Sequence, residues 1–196
     1  MARPKQTTSP NRRRQILEQA AGLFKTNGFN ATTMRQLAEQ SGMEAASLYN
    51  HISSKEELLR EICCTVANDF NAHLLQLEAD DSCASRKMEA IIRFHIHMLL
   101  TRYNDVYVSN RDWKHLKEPW LTNFLNQRKL YENRLAAIIQ QGVDAGKFKP
   151  VHPHVAVLTI LSAVRSIEYW QRSKKAISSK QIADDLVMLL LKGLEQ

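Results

Sequence analysis

Turn-forming residues are scarce in this chain, with 6 glycines and 5 prolines among 196 residues. Sandwiches and barrels need frequent turn signals, so the shortage excludes them and favours long helices with short connections. Cysteine is scarcer still. Cys63, Cys64 and Cys83 cannot form a disulfide framework for a chain of this size, and adjacent Cys63 and Cys64 fall on different helix faces. They read as reduced, partly buried thiols. No apolar run approaches the ~20 residues of a membrane span, and no apolar stretch follows the basic N-terminus as in a signal peptide. The expectation is a cytoplasmic protein with no membrane partner. Catalytic spacings are missing too. Glu89, Glu168, His95 and His115 are acid/base residue types, but no nucleotide loop, HExxH pair or nucleophile-with-base spacing organises them. His95 and His97 point about 200° apart on a helix and cannot share one metal. His152 and His154 flank Pro153 without nearby Cys or carboxylates. The expectation is no enzyme, no metal and no cofactor.

What the chain does have is an ordinary apolar content of 44% and an excess of positive charge, +7 at neutral pH. The excess is uneven. Residues 1–60 hold nine Lys/Arg against five Asp/Glu, and Arg3, Lys5, Arg12, Arg13 and Arg14 all precede the first acid, Glu18. Such a basic start suits a polyanionic partner or a solubilising tail.

Periodicity and capping signals divide the chain into about nine helices, with no alternating strand pattern, so the expected fold class is all-α. Residues 1–10 read as a basic arm. A first helix follows from about Asn11 to Thr26 and stops at Asn27-Gly28. Thr33 and Gln36 form a capping box for a short second helix ended by Gly42, and a third covers roughly Ala45 to His51. Ser54, with Glu57 at the box position, opens a fourth that reaches about Leu77. Longer helices then cover about Cys83–Arg102, Asn104–Lys117 and Pro119–Asp144. The last two, about Pro153–Arg172 and Ser178–Leu194, are strongly apolar.

The second and third helices are each too short to be stable alone. Short helix, turn with Gly42, short helix is the helix-turn-helix arrangement, whose second helix enters the DNA major groove. Leu37, Ala38, Met43 and Leu48 supply the packing face. Ser47, Tyr49, Asn50 and His51 point largely away from it, and their polar groups suit phosphate oxygens and base edges. Ala45 and Ala46 allow close approach. Lys55 opposes the dipole of its own helix, a placement that makes sense if it binds a phosphate.

From Arg12 to Leu59 the chain resembles the TetR/AcrR family of bacterial transcriptional regulators. The resemblance rests on Gly28-Phe29, Thr32-Thr33-Met34-Arg35, Leu37-Ala38, Gly42-Met43, Leu48-Tyr49 and Lys55-Glu56-Glu57-Leu58 in one register. It implies a three-helix DNA-binding domain at 11–55 and a helical ligand-binding and dimerisation domain at 56–196. It implies further that Thr33, Arg35 and Lys55 contact DNA, that Ala45 and Ser47 face bases, and that Tyr49 and His51 face phosphates. Asn50 suits either role. Residues 44–46 depart from the family's usual pattern, so direct base readout is expected to be sparse and DNA shape to contribute.

The partners so implied are an operator duplex, a second copy of the chain through the last two helices, and a small effector. Met98, Trp113, Trp120, Phe124, Arg165, Glu168 and Tyr169 are candidates for the effector site, although helical cores need such residues as well. The stretches "QRKLYENRLAAIIQQGVDAGKF" and "SAVRSIEYW" are similar to TetR-family regulators of fatty-acid and sterol catabolism. That similarity implies an acyl-CoA effector. The competing classes are an all-α interaction adaptor and a small helical enzyme; neither accounts for the polar third helix or the basic start.

Overall fold

The computed structural model describes residues 10–167 and 177–195. The basic arm through residue 9, and Glu168, Tyr169 and Trp170, lie outside the described residues. The described chain is all-α, with nine α-helices and one 3₁₀ segment. The helices are α1 (Pro10–Asn27), α2 (Met34–Gln40), α3 (Ala45–Tyr49), α4 (Lys55–Glu78) and α5 (Ala84–Thr101), then α6 (Tyr103–Arg111), α7 (Trp120–Asp144), α8 (Pro153–Arg165) and α9 (Ser179–Lys192). Trp113–His115 is the 3₁₀ segment. The expected helix over Asn104–Lys117 is thus α6 plus this segment. A proline at 119 disfavours helical backbone at the residue before it, which helps to separate α6 from α7.

The chain forms two compact units. Unit one comprises Met1–Val66 and Asn104–Phe124, so it joins α1–α3 and the first half of α4 to most of α6 and the 3₁₀ segment. Its core includes Ile16, Phe24, Leu37, Leu48, Ile52 and Leu58, each buried almost completely. α1 ends where Gly28, at φ 84°, donates its N–H to Phe24 O at 2.9 Å. A left-handed residue closes the helix here without a Cβ penalty. The buried Thr32 hydroxyl donates to Gly28 O at 2.9 Å and steers the chain into α2.

Unit two comprises Ala67–Tyr103 and Leu125–Gln196. In it α5 packs on both α8 and α9; Met88, Ile91, Ile92 and Ile96 of α5 and Val157, Ile160 and Val164 of α8 are all buried. After α7 the chain folds back so that the Phe148 ring lies over Gly142, where any Cβ would sit 2.2 Å from a ring carbon. Lys149 N–H then donates to Leu194 O at 2.7 Å, tying this turn to the end of α9. Ion pairs Arg102–Asp69, Arg134–Glu78 and Arg93–Asp184 cross between helices of the unit. Among the described residues, no helix is long and apolar enough to cross a membrane.

Candidate nucleic-acid interface

The interface grows from the capping of α2. The Thr33 hydroxyl accepts from Gln36 N–H at 3.2 Å, and Gln36 Oε1 accepts from Thr33 N–H at 2.9 Å, the reciprocal box expected from the residues. α2 buries Leu37 and Ala38. Arg35, on the opposite side, is 86% exposed and pairs with Glu39 at 3.1 Å. Gly42, at φ 62°, turns the chain, and Met43 N–H donates to Ala38 O at 2.9 Å.

α3 has five residues and opens on Glu44, which makes no side-chain cap. Its only buried side chain is Leu48; Ile52, also buried, anchors the exit. Around Leu48 the outward residues are Ala46, Tyr49 and Asn50, all exposed, while Ala45, Ser47 and His51 are half-buried. A helix one turn and a half long is thereby pinned at one point and presents an aromatic ring, a carboxamide and a hydroxyl. Hydrogen bonds to phosphate oxygens and base edges are what these groups make.

At the start of α4, Ser54 caps as expected, its hydroxyl accepting from Glu57 N–H at 3.2 Å. The Glu57 carboxylate reaches one residue further back than the box predicts, accepting from Ser53 N–H at 2.9 Å and Ser53 Oγ at 2.6 Å. Burial pushes the Glu57 carboxyl up, but Ser53 and Arg13 together outweigh it and hold it at about 2. Lys55 also has an unexpected geometry. Its Nζ donates to Phe29 O at 2.9 Å, Asn30 O at 3.1 Å and Thr32 O at 3.0 Å, and lies 4.7 Å from the centre of the Phe29 ring. An ammonium has three hydrogens. A phosphate contact from Lys55 therefore requires it to surrender one of these bonds.

The effector candidates fall in different places. Met98 is buried in unit two, and Arg165 is exposed at the end of α8. Trp113, Trp120 and Phe124 belong to unit one. Phe124 is buried there, while Trp120 lies under the Arg60 guanidinium at 4.8 Å, in an open cleft of about 380 Å³ shared with Ser53 and Lys117. A polar cluster in unit two had no place among the candidates. His95 Nε2 lies 2.8 Å from the Tyr131 hydroxyl, and its ring stacks on Phe70; His73 stacks on Phe94 with its Nδ1 buried and unpartnered. Burial, then the charges of Arg165 and His73, push the His95 imidazole down to about 3, so it is neutral near pH 7. The available signal was a histidine set among Ile91, Ile92 and Ile96 on an apolar helix face.

Comparison with known proteins bears on both units. The family model described as "Bacterial regulatory proteins, tetR family" matches residues 16–62, and "Tetracyclin repressor-like, C-terminal domain" matches residues 81–194. The HTH-type transcriptional regulator YfiR of Bacillus subtilis is 31% identical over 76% of this chain and 75% of its own length. The HTH-type transcriptional repressor KstR2 of Mycolicibacterium smegmatis is 23% identical, over 95% of this chain and 92% of its own. The structure of AibR in complex with isovaleryl coenzyme A and operator DNA superposes with a TM-score of 0.80 at 29% identity, covering 92% of this chain and 98% of that one. YfiR and KstR2 are regulators of transcription.

Proposed function

Because the chain belongs to the TetR family of bacterial regulatory proteins, we propose that it is a dimeric repressor that leaves its operator when an acyl-CoA thioester binds unit two. The observation that carries DNA binding is the geometry of α3. A helix this short, held through Leu48 and displaying Tyr49 and Asn50, has no evident use in a core. Thr33, Arg35, Ala45, Ser47 and His51 complete the proposed DNA-facing set.

Dimerisation is supported by the surface of the last two described helices. On α8, Val155 and Leu158 are more than half exposed, and on α9 Leu189 is 66% exposed beside Met188. Exposed large apolar side chains on both helices suit an association site. A second copy brings two recognition helices to successive major grooves, which is why such operators are near-palindromic.

The thioester effector is supported by the likeness to AibR, whose structure holds isovaleryl coenzyme A, and by the sequence similarity of Gln127–Phe148 to regulators of fatty-acid and sterol catabolism. Release requires that the ligand favour the dimer conformation whose recognition helices are misplaced for the duplex.

Gel shift with fragments flanking its own gene should give a sequence-selective complex that weakens steeply with salt. Absence of a complex on every fragment sinks the DNA-binding reading. A thermal-shift panel of acyl-CoAs and free acids should show a thioester that both raises Tm and dissolves the complex. If no thioester stabilises the chain, the effector class is wrong.

A further inference from the structure

Unit two withdraws from water polar groups that neither the proposed DNA contacts nor the apolar surface of α8 and α9 uses. The Nε2 of His95 on α5 and the hydroxyl of Tyr131 on α7 lie 2.8 Å apart. Met88, Ile91, Ile92 and Ile96 of the same α5 are buried almost completely, and Phe70 of α4 stacks on the imidazole with ring centres 4.3 Å apart. Packing alone would be served by an apolar side chain at either position. A polar group taken out of water costs free energy unless its hydrogen bonds are made.

Here they are not all made. The imidazole is neutral near pH 7, so it carries one N–H, and the phenol carries one O–H. The single bond between them uses only one of these two hydrogens. With Tyr131 as donor, the Nδ1–H of His95 is left over; with His95 as donor from Nε2, the Tyr131 O–H is left over. Either tautomer leaves one donor with no acceptor among the described residues. His73 stacks on Phe94 at 4.0 Å with its Nδ1 buried and unpartnered, and Phe94 meets Phe70 edge-on at 5.7 Å. This stack of rings holds more hydrogen-bonding capacity than the protein fills.

The spare donor has room in front of it. Desolvation is the main cause that holds the His95 imidazole at about 3, as for a group deep inside the unit, yet the residue is only half-buried. A ring that is both deep and accessible borders an interior hollow. Charge narrows what fits there. The cations that act on the pair are Arg165, exposed at the end of α8, and Arg134, already held by Glu78. Neither is hydrogen-bonded to the pair. A neutral donor in an aromatic wall suits a neutral carbonyl oxygen better than a carboxylate, whose desolvation it does not offset.

We propose that the His95–Tyr131 pair recognises the effector, donating one hydrogen bond to the carbonyl oxygen of its acyl group while the surrounding rings hold its apolar chain. The proposal rests on the acyl-CoA reading of unit two, and it names the atoms that distinguish a thioester from a ligand lacking that oxygen.

Calorimetry on the full chain tests it with isovaleryl-, octanoyl- and decanoyl-CoA, each beside the S-alkyl-CoA thioether without the carbonyl oxygen. A thioester should bind about fivefold more tightly than its thioether, the net worth of one hydrogen bond. Equal affinities overturn the proposal and leave the acyl-CoA reading standing, whereas no binding by any of the six overturns both. Tyr131→Phe and His95→Leu each remove one of the two donors. In the double variant the preference should vanish with thioether affinity little changed, and a preference that survives there overturns the proposal. Where the double variant does not fold, infrared spectroscopy of the unaltered chain decides, with the tightest-binding thioester labelled with carbon-13 at its carbonyl. The bound C=O stretch should lie at or below its frequency in water. A rise towards the frequency seen in hydrocarbon solvent means that no donor meets the oxygen and overturns the proposal.

Discussion

Leu48 and Asn50 are two residues apart and do opposite work. Leu48 has no exposed surface and is the one buried side chain of its helix, so the position of α3 depends on it. Leu48→Ala should cost about 2–5 kcal/mol of unit-one stability, read by denaturant unfolding. Asn50 is exposed and carries no packing load. Asn50→Ala should leave stability within about 0.5 kcal/mol and change the ranking of operator variants in competition gel shifts; equal loss on every duplex would count against a base contact. The burial of Leu48 and the exposure of Asn50 were legible in the sequence, because alternation around a short helix separates an anchor from its neighbours. The partners of Lys55 were not legible. They lie 23 to 26 residues away, and no local pattern announces a contact at that distance.

At the scale of elements, unit two carries its own sensitivity to acid. α4, α5 and α7 supply the packed rings of Phe70, His95 and Tyr131. Burial and the Arg165 charge hold the His95 imidazole at about 3, against an ordinary 6.5. The folded chain therefore keeps it neutral while the unfolded chain takes up a proton below 6.5. Its contribution is fully present above that value and is lost as pH falls through the window towards 3. Urea midpoints measured from pH 7 to pH 4 should fall, and the fall should be shallower in His95→Gln. An equal slope in the two chains would assign the acid sensitivity to other groups. The helix pattern of α5 was plain in the sequence, since Met88, Ile91, Ile92, Ile96 and Leu99 repeat at helical spacing. That its histidine meets a tyrosine 36 residues later was not.

For the whole molecule, the proposed assembly turns on the apolar surface of α8 and α9. Leu158→Asp combined with Leu189→Asp should convert dimers to monomers in light scattering, since a carboxylate on an interface core must be desolvated without a partner. Unit stability should change little, both side chains being more than half exposed. An unchanged mass would place the dimer contact elsewhere. The sequence pointed to these helices because they are apolar on more than one face. It gave no sign that residues 104–124 would join the first sixty-six in one unit, a grouping that local periodicity does not encode.

What the sequence determined by itself was local: the all-α class, the capping box at Thr33, the stop at Gly28, and the short-helix pair with Tyr49 and Asn50 exposed. These follow from interactions across three or four residues, which any reader of the chain can count. The tertiary structure decided which of the basic residues have carbonyls to hold and which face outwards. Arg13 and Arg14 are neighbours of the same type, and only folding turns one towards Glu57, Glu61 and the carbonyl of His51 and leaves the other at the surface with Glu18. Charge is written in composition, but its availability depends on partners brought together from distant parts of the chain.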